Sequence, residues 1–138
     1  MARILAASAV LFFLLGVASA QSLKGCYVGD GDSAAADASS DDMINSDCAE
    51  FCAKEGKPYS GTGGEGGRYC ACLTEEDMGM LAPTKSDAAN CDTPCPGKLE
   101  EMCGGGDNYV TIWSTGSAAK RMLSLREKLQ NLRRALED

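Results

Sequence analysis

The sequence predicts a small α+β domain held by disulfides, a helix packed on a short, twisted antiparallel sheet, followed by a C-terminal amphipathic helix. Three observations carry this prediction. All eight cysteines lie between Cys26 and Cys103, in a chain without histidine. Cys48 and Cys52 stand four apart in a segment with helical character, which places both sulfurs on one helix face. Cys70 and Cys72 stand two apart in a β-like segment and share one face of a strand.

Residues 1–20 read as a cleavable secretory signal. Arg3 precedes an apolar run from Ile4 to Val17, and Ala18-Ser19-Ala20 supplies small residues at the cleavage site. The run is shorter than the roughly 20 apolar residues a membrane span prefers. No later stretch is apolar enough for a transmembrane segment, and the C-terminus is charged. The expected product is a secreted, extracellular or cell-wall protein with a disulfide-rich domain at 21–116 and a helical tail at 117–138. An even cysteine count in an exported chain implies bridges, each contributing about 2–4 kcal/mol, so four rival the net stability of such a domain. Zinc is the competing use of clustered cysteines. Without histidine, and in an oxidising compartment, no metal and no cofactor is expected.

In chain order, residues 26–29 form an opening strand tied down by Cys26. Residues 30–42, rich in Asp, Ala and Ser, read as an exposed loop. Their aspartates lack the ligand spacing of a calcium loop. Asn45–Lys54 is the clearest helix, with Asp47 and Glu50 as a capping pair, Gly56 as its stop, and Cys48, Phe51 and Cys52 on the face to be buried. Residues 57–60 and 68–73 read as two strands joined by a mobile glycine-rich connection at 61–67. That connection lacks the Gly-Lys-Ser/Thr ending of a phosphate loop. Cys91, Cys95 and Cys103 precede a glycine turn at 104–106. Residues 109–113 then alternate, with Val110 and Ile112 on one face and Tyr109, Thr111 and Trp113 on the other.

Eight cysteines allow more than a hundred pairings. The matched spacings of helix and strand favour Cys48–Cys70 with Cys52–Cys72. A local Cys95–Cys103 bridge then leaves Cys26–Cys91.

Residues 21–116 carry 17 acidic and 6 basic side chains, a net −11, whereas residues 117–138 carry 6 basic and 3 acidic, a net +3. An acidic head makes no nucleic-acid binder, because phosphate contacts need clustered Lys and Arg. Histidine is absent, so a Ser–His–Asp or Cys–His constellation cannot be built. The adjacent carboxylates Glu75/Glu76 and Glu100/Glu101 point apart and read as solvated surface rather than a glycosidase pair. The chain is expected not to be an enzyme.

Several motifs in order resemble the WSC domain, an eight-cysteine module of cell-wall stress sensors. They are Gly25-Cys26-Tyr27, Met43 five residues before Cys48, CAEFC at Cys48 to Cys52, Tyr59-x-Gly61, Cys70-x-Cys72, and Cys91-x3-Cys95-Pro96-Gly97 ending in Cys103-Gly104-Gly105. The resemblance implies a small disulfide-rich α+β fold that binds cell-wall or extracellular polysaccharide without catalysis. The chain departs from the pattern in its run of glycines before Cys70, in Ala71 within Cys70-x-Cys72, and in Leu73.

A sugar site typically pairs exposed aromatic rings with polar side chains. With Phe51 and Tyr27 assigned to the core, the carbohydrate-binding candidates are Tyr59, Tyr69, Asn108, Tyr109 and Trp113. Trp113 has the alternative role of closing a core short of apolar bulk. In the tail, with Ser117 as N-cap, Met122, Leu125, Leu129, Leu132 and Leu136 recur at intervals of 3, 4, 3 and 4, an a/d seam. Its partner is a second tail (self-association), another protein, the acidic head, or an anionic membrane met by Arg121, Arg126, Arg133 and Arg134.

Overall fold

The computed structural model describes residues 21–29 and 36–137. The expected signal segment, 1–20, and residues 30–35 of the aspartate-rich stretch lie outside the described residues. The chain forms β1 (Ser22–Val28), β2 (Ala38–Ser39), α1 (Asn45–Lys54), β3 (Tyr59–Gly63), β4 (Tyr69–Leu73), α2 (Glu75–Leu81), β5 (Lys85–Ser86), β6 (Pro94–Cys95), β7 (Lys98–Met102), β8 (Tyr109–Ser114) and α3 (Ser117–Glu137). The fold is α+β. Six strands make an antiparallel sheet in the order β2-β4-β3-β8-β1-β5, and β6 and β7 form a separate hairpin.

Helix α1 lies on the sheet face that carries Cys70 and Cys72, fastened there by Cys48–Cys70 and Cys52–Cys72. Cys95–Cys103 closes the β6–β7 hairpin and Cys26–Cys91 ties β1 to the segment before it. No described cysteine is free. The sulfurs of Cys48, Cys52 and Cys70 lie within 4.8 Å of one another. Each belongs to a disulfide, so the cluster offers no thiolate to a metal. Met43 and five of the cysteines make up the main core cluster, with Phe51 and Cys72 partly buried against it, while Tyr27 and Ile112 are buried elsewhere in the sheet.

Local structure departs from expectation at several points. The opening strand begins at Ser22, four residues early, because β8 continues far enough to pair with it, Ser22 opposite Ser114. Helix α1 spans the expected residues but has Ile44 at its N-cap, without a side-chain bond; Asp47 sits inside the first turn and Glu50 reaches Lys54 at 3.7 Å on the exposed side. The aspartate-rich stretch is not all loop. Asp37 accepts the Cys72 N–H at 2.7 Å and donates its own N–H to the Cys70 carbonyl at 2.8 Å, which delivers Ala38–Ser39 to the β4 edge.

The glycine-rich connection is also shorter than expected, since β3 runs through Gly63 and only a 3-10 turn at Glu65–Gly67 remains before β4. A Cβ on Gly61 would stand 3.1 Å from Ile112 Cδ1, and one on Gly63 equally near Val110 Cγ1. These glycines therefore make room for the β8 side chains; they do not loosen a hairpin. The expected in-and-out alternation of β8 is blurred because the strand is central. Ile112 and Thr111 are both buried, whereas Val110, Tyr109 and Trp113 are half-buried. At the tail, the hydroxyl that accepts the Ser117 N–H is that of Thr115, at 3.2 Å, in place of the expected Ser117 cap. The seam residues Met122, Leu125, Leu129, Leu132 and Leu136 are 55–86% exposed, so the acidic head does not cover them.

Candidate functional site

The five aromatic and polar candidates do not converge. Tyr59 pairs with Leu73 and Tyr69 with Gly63, at opposite ends of the β3–β4 ladder and so about 13 Å apart. Trp113 stands opposite Ser60, one residue out of phase with Tyr59, which puts the two rings on opposite faces of the sheet. Tyr109 shares the Trp113 face by alternation but lies at the other end of β8. Asn108 is exposed in the preceding turn, where its backbone carbonyl accepts the Gly29 N–H at 3.0 Å.

Tyr59 and Tyr69 have separate local partners. The Tyr59 hydroxyl donates to Glu75 Oε2 at 3.1 Å, and Lys24 Nζ lies 6.0 Å from its ring centre. Burial, and then the Glu75 carboxylate, raise its pKa above the ordinary tyrosine value. Arg68 lies 6.0 Å from the centre of the Tyr69 ring and pairs with Asp41 at 3.5 Å, bordering a small polar hollow with Ser39 and Ser40.

Trp113 borders a groove of about 270 Å³ between the helix-covered face of the sheet and the β6–β7 hairpin. Its wall is mostly apolar: Leu23, the Cys26–Cys91 bridge, Ala88, Met102 and the indole. Leu23 is 59% and Met102 38% exposed, an apolar rim of the sort that marks contact surfaces. The Trp113 Nε1 is buried without a hydrogen-bond partner among the described residues. The ring therefore offers the groove hydrocarbon surface and no donor.

Polar groups fix one side of this groove. Asn45, the first residue of α1 and itself buried, donates from Nδ2 to the Met102 carbonyl at 2.9 Å and to Glu101 Oε1 at 3.3 Å, and accepts the Thr62 hydroxyl proton at 2.7 Å. Glu101 is held from its other oxygen by Lys98 at 3.1 Å. The result is an aromatic and aliphatic floor with a carboxylate edge, suited to the apolar face and hydroxyl rim of a neutral sugar. Sequence reasoning missed Asn45, Glu101, Leu23 and Met102. Their chain positions are scattered, and the one local signal was an amide at a helix start.

Among the described residues lining this groove Glu101 is the one carboxylate, engaged by Asn45 and Lys98. No helix among the described residues is long and apolar enough to cross a membrane. Comparison with protein families matches residues 23–105 to the WSC domain, more than half of the chain. A search of curated proteins finds no match.

Proposed function

We infer that this chain, which belongs to the WSC domain family, is a secreted, non-catalytic module that binds neutral cell-wall or extracellular polysaccharide in the groove beside Trp113. The observation that carries this reading is the groove itself, where the chain's single tryptophan, two exposed aliphatic side chains and a fixed amide–carboxylate pair meet. A pyranose ring stacked on Trp113 exchanges water for apolar surface on one side. Its hydroxyls reach Glu101 on the other.

The net −11 of residues 21–116 narrows the ligand further. An acidic head repels polyuronates and favours uncharged glucans, chitin or cellulose. Tyr59 and Tyr69, on the opposite face, are left out of this site. Co-sedimentation of the oxidised mature chain with insoluble β-glucan, chitin and cellulose, with an insoluble polyuronate as comparison, tests the proposal. Retention by at least one neutral polymer and not by the polyuronate is expected. Recovery of all the protein in every supernatant overturns it.

A further inference from the structure

We propose that α3 is a docking helix for an acidic amphipathic helix of a different polypeptide, and that it does not pair with its own copy. The seam residues Met122, Leu125, Leu129, Leu132 and Leu136 each remain more than half exposed. Their 3, 4, 3, 4 spacing assigns Met122, Leu129 and Leu136 to heptad position a, and Leu125 and Leu132 to d. Position e is then Arg126 and Arg133, and position g includes Lys128 and Ala135. All of these flanking side chains are exposed, and every charge among them is positive.

Those flanks decide the partner. In a parallel pair of tails, Lys128 of one copy would lie beside Arg133 of the other; in an antiparallel pair, arginine meets arginine and lysine meets lysine. Both arrangements set like charges together at the edge of the apolar seam, where e and g charges choose partners. A helix with aliphatic a and d residues and Glu or Asp at e and g meets the same seam with attraction at Arg126, Lys128 and Arg133. An anionic lipid surface would also attract these cations. However, the apolar stripe is the narrow a/d kind, and α3 contains no Trp, Tyr or Phe, whereas interfacial helices bury a wider face with such residues. A helical partner fits better than lipid.

The test uses the full oxidised mature chain and three probes: a labelled three-heptad peptide with Leu at a and d and Glu at e and g, the same peptide with Lys at e and g, and phosphatidylcholine vesicles containing phosphatidylserine. Peptide binding is read by fluorescence anisotropy, vesicle binding by co-flotation, and self-association by sedimentation velocity. The Glu peptide is expected to bind one to one, weaken as salt rises, and bind at least about tenfold more tightly than the Lys peptide, as expected when several repulsions become attractions. Charge reversal by Arg126→Glu, Lys128→Glu and Arg133→Glu together should exchange that preference, a result that misfolding cannot imitate. Leu129→Asp with Leu132→Asp should abolish binding of either peptide. The proposal is overturned if the chain dimerises through α3 at low micromolar concentration, if vesicles take it up while the Glu peptide does not bind, or if both peptides bind equally.

Discussion

Replacing Asn45 with alanine asks how much of the groove's shape depends on one buried amide. Asn45 is 3% exposed and joins three elements: its own helix, β3 through the Thr62 hydroxyl, and β7 through the Met102 carbonyl. Thr62, itself 1% exposed, would lose its acceptor, and the Met102 carbonyl would lose its donor. Leaving a buried polar group unsatisfied costs about 1–3 kcal/mol, so Asn45→Ala should cost about 2–4 kcal/mol of a net stability that is typically 5–15 kcal/mol. The assay is urea unfolding with the disulfides intact. A double-mutant cycle with Thr62→Val should return a coupling of about 1 kcal/mol or more. Asn45→Asp adds a sign test. It replaces the Nδ2 donor with a carboxylate set against Glu101, so at neutral pH it should destabilise more than Asn45→Ala. A loss below about 0.5 kcal/mol for Asn45→Ala, the range of ordinary surface changes, would refute the idea that this amide holds the groove together.

Further outcomes concern sites away from the groove. The Thr74 hydroxyl accepts the Asp77 N–H at 3.1 Å while Asp77 Oδ2 accepts the Thr74 N–H at 2.8 Å, and the backbone bond from Thr74 followed by its hydroxyl bond hold the Asp77 pKa below the ordinary value. That stabilisation is full above the ordinary carboxylate pKa and is lost as pH falls through the depressed one. Thr74→Ala should cost about 1 kcal/mol and raise the Asp77 pKa part of the way toward the ordinary value by NMR, because the residue-74 N–H still donates; an unmoved titration would show the hydroxyl to be idle. For Tyr59 the raised pKa means stability is full below the ordinary tyrosine value and declines as pH climbs through the elevated one; Tyr59→Phe should flatten that alkaline decline in unfolding curves, and an unchanged slope would contradict it. Gly104 has φ 78°, and a Cβ there would stand 2.6 Å from Gly63 Cα and 2.7 Å from the Tyr109 carbonyl oxygen. Gly104→Ala should therefore cost about 3 kcal/mol or more, beyond the left-handed penalty alone, and a near-normal melting temperature would argue against so tight a crossing.

The cysteine spacings made much of the fold legible, because a four-residue helical step and a two-residue strand step both present sulfurs on one face. The α1 boundaries, the placement of Tyr27 in the core, and the β8 strand followed from similarly local rules. The site did not. Trp113 stood out by residue type, but Leu23, Asn45 and Met102 reach it only through the β1–β8 pairing, the seating of α1 and the β6–β7 hairpin, none of which any local periodicity encodes. Tyr59 and Tyr69 attracted attention as exposed aromatics, yet the one-residue phase between Tyr59 and Ser60 sends them to the far face. The glycines of β3 were misread for a related reason. Their smallness serves side chains on β8, remote in sequence, so composition alone suggested a loop.

Trp113 is the chain's single tryptophan, and its emission reports the groove without any substitution. The most direct measurement is a fluorescence titration of the mature protein with a soluble oligosaccharide of whichever neutral polymer retains it. The account predicts a saturable change in the wavelength or intensity of Trp113 emission, with a midpoint matching the affinity measured calorimetrically on the same sample. Calorimetric saturation with no change in the emission would place the sugar elsewhere and contradict the assignment.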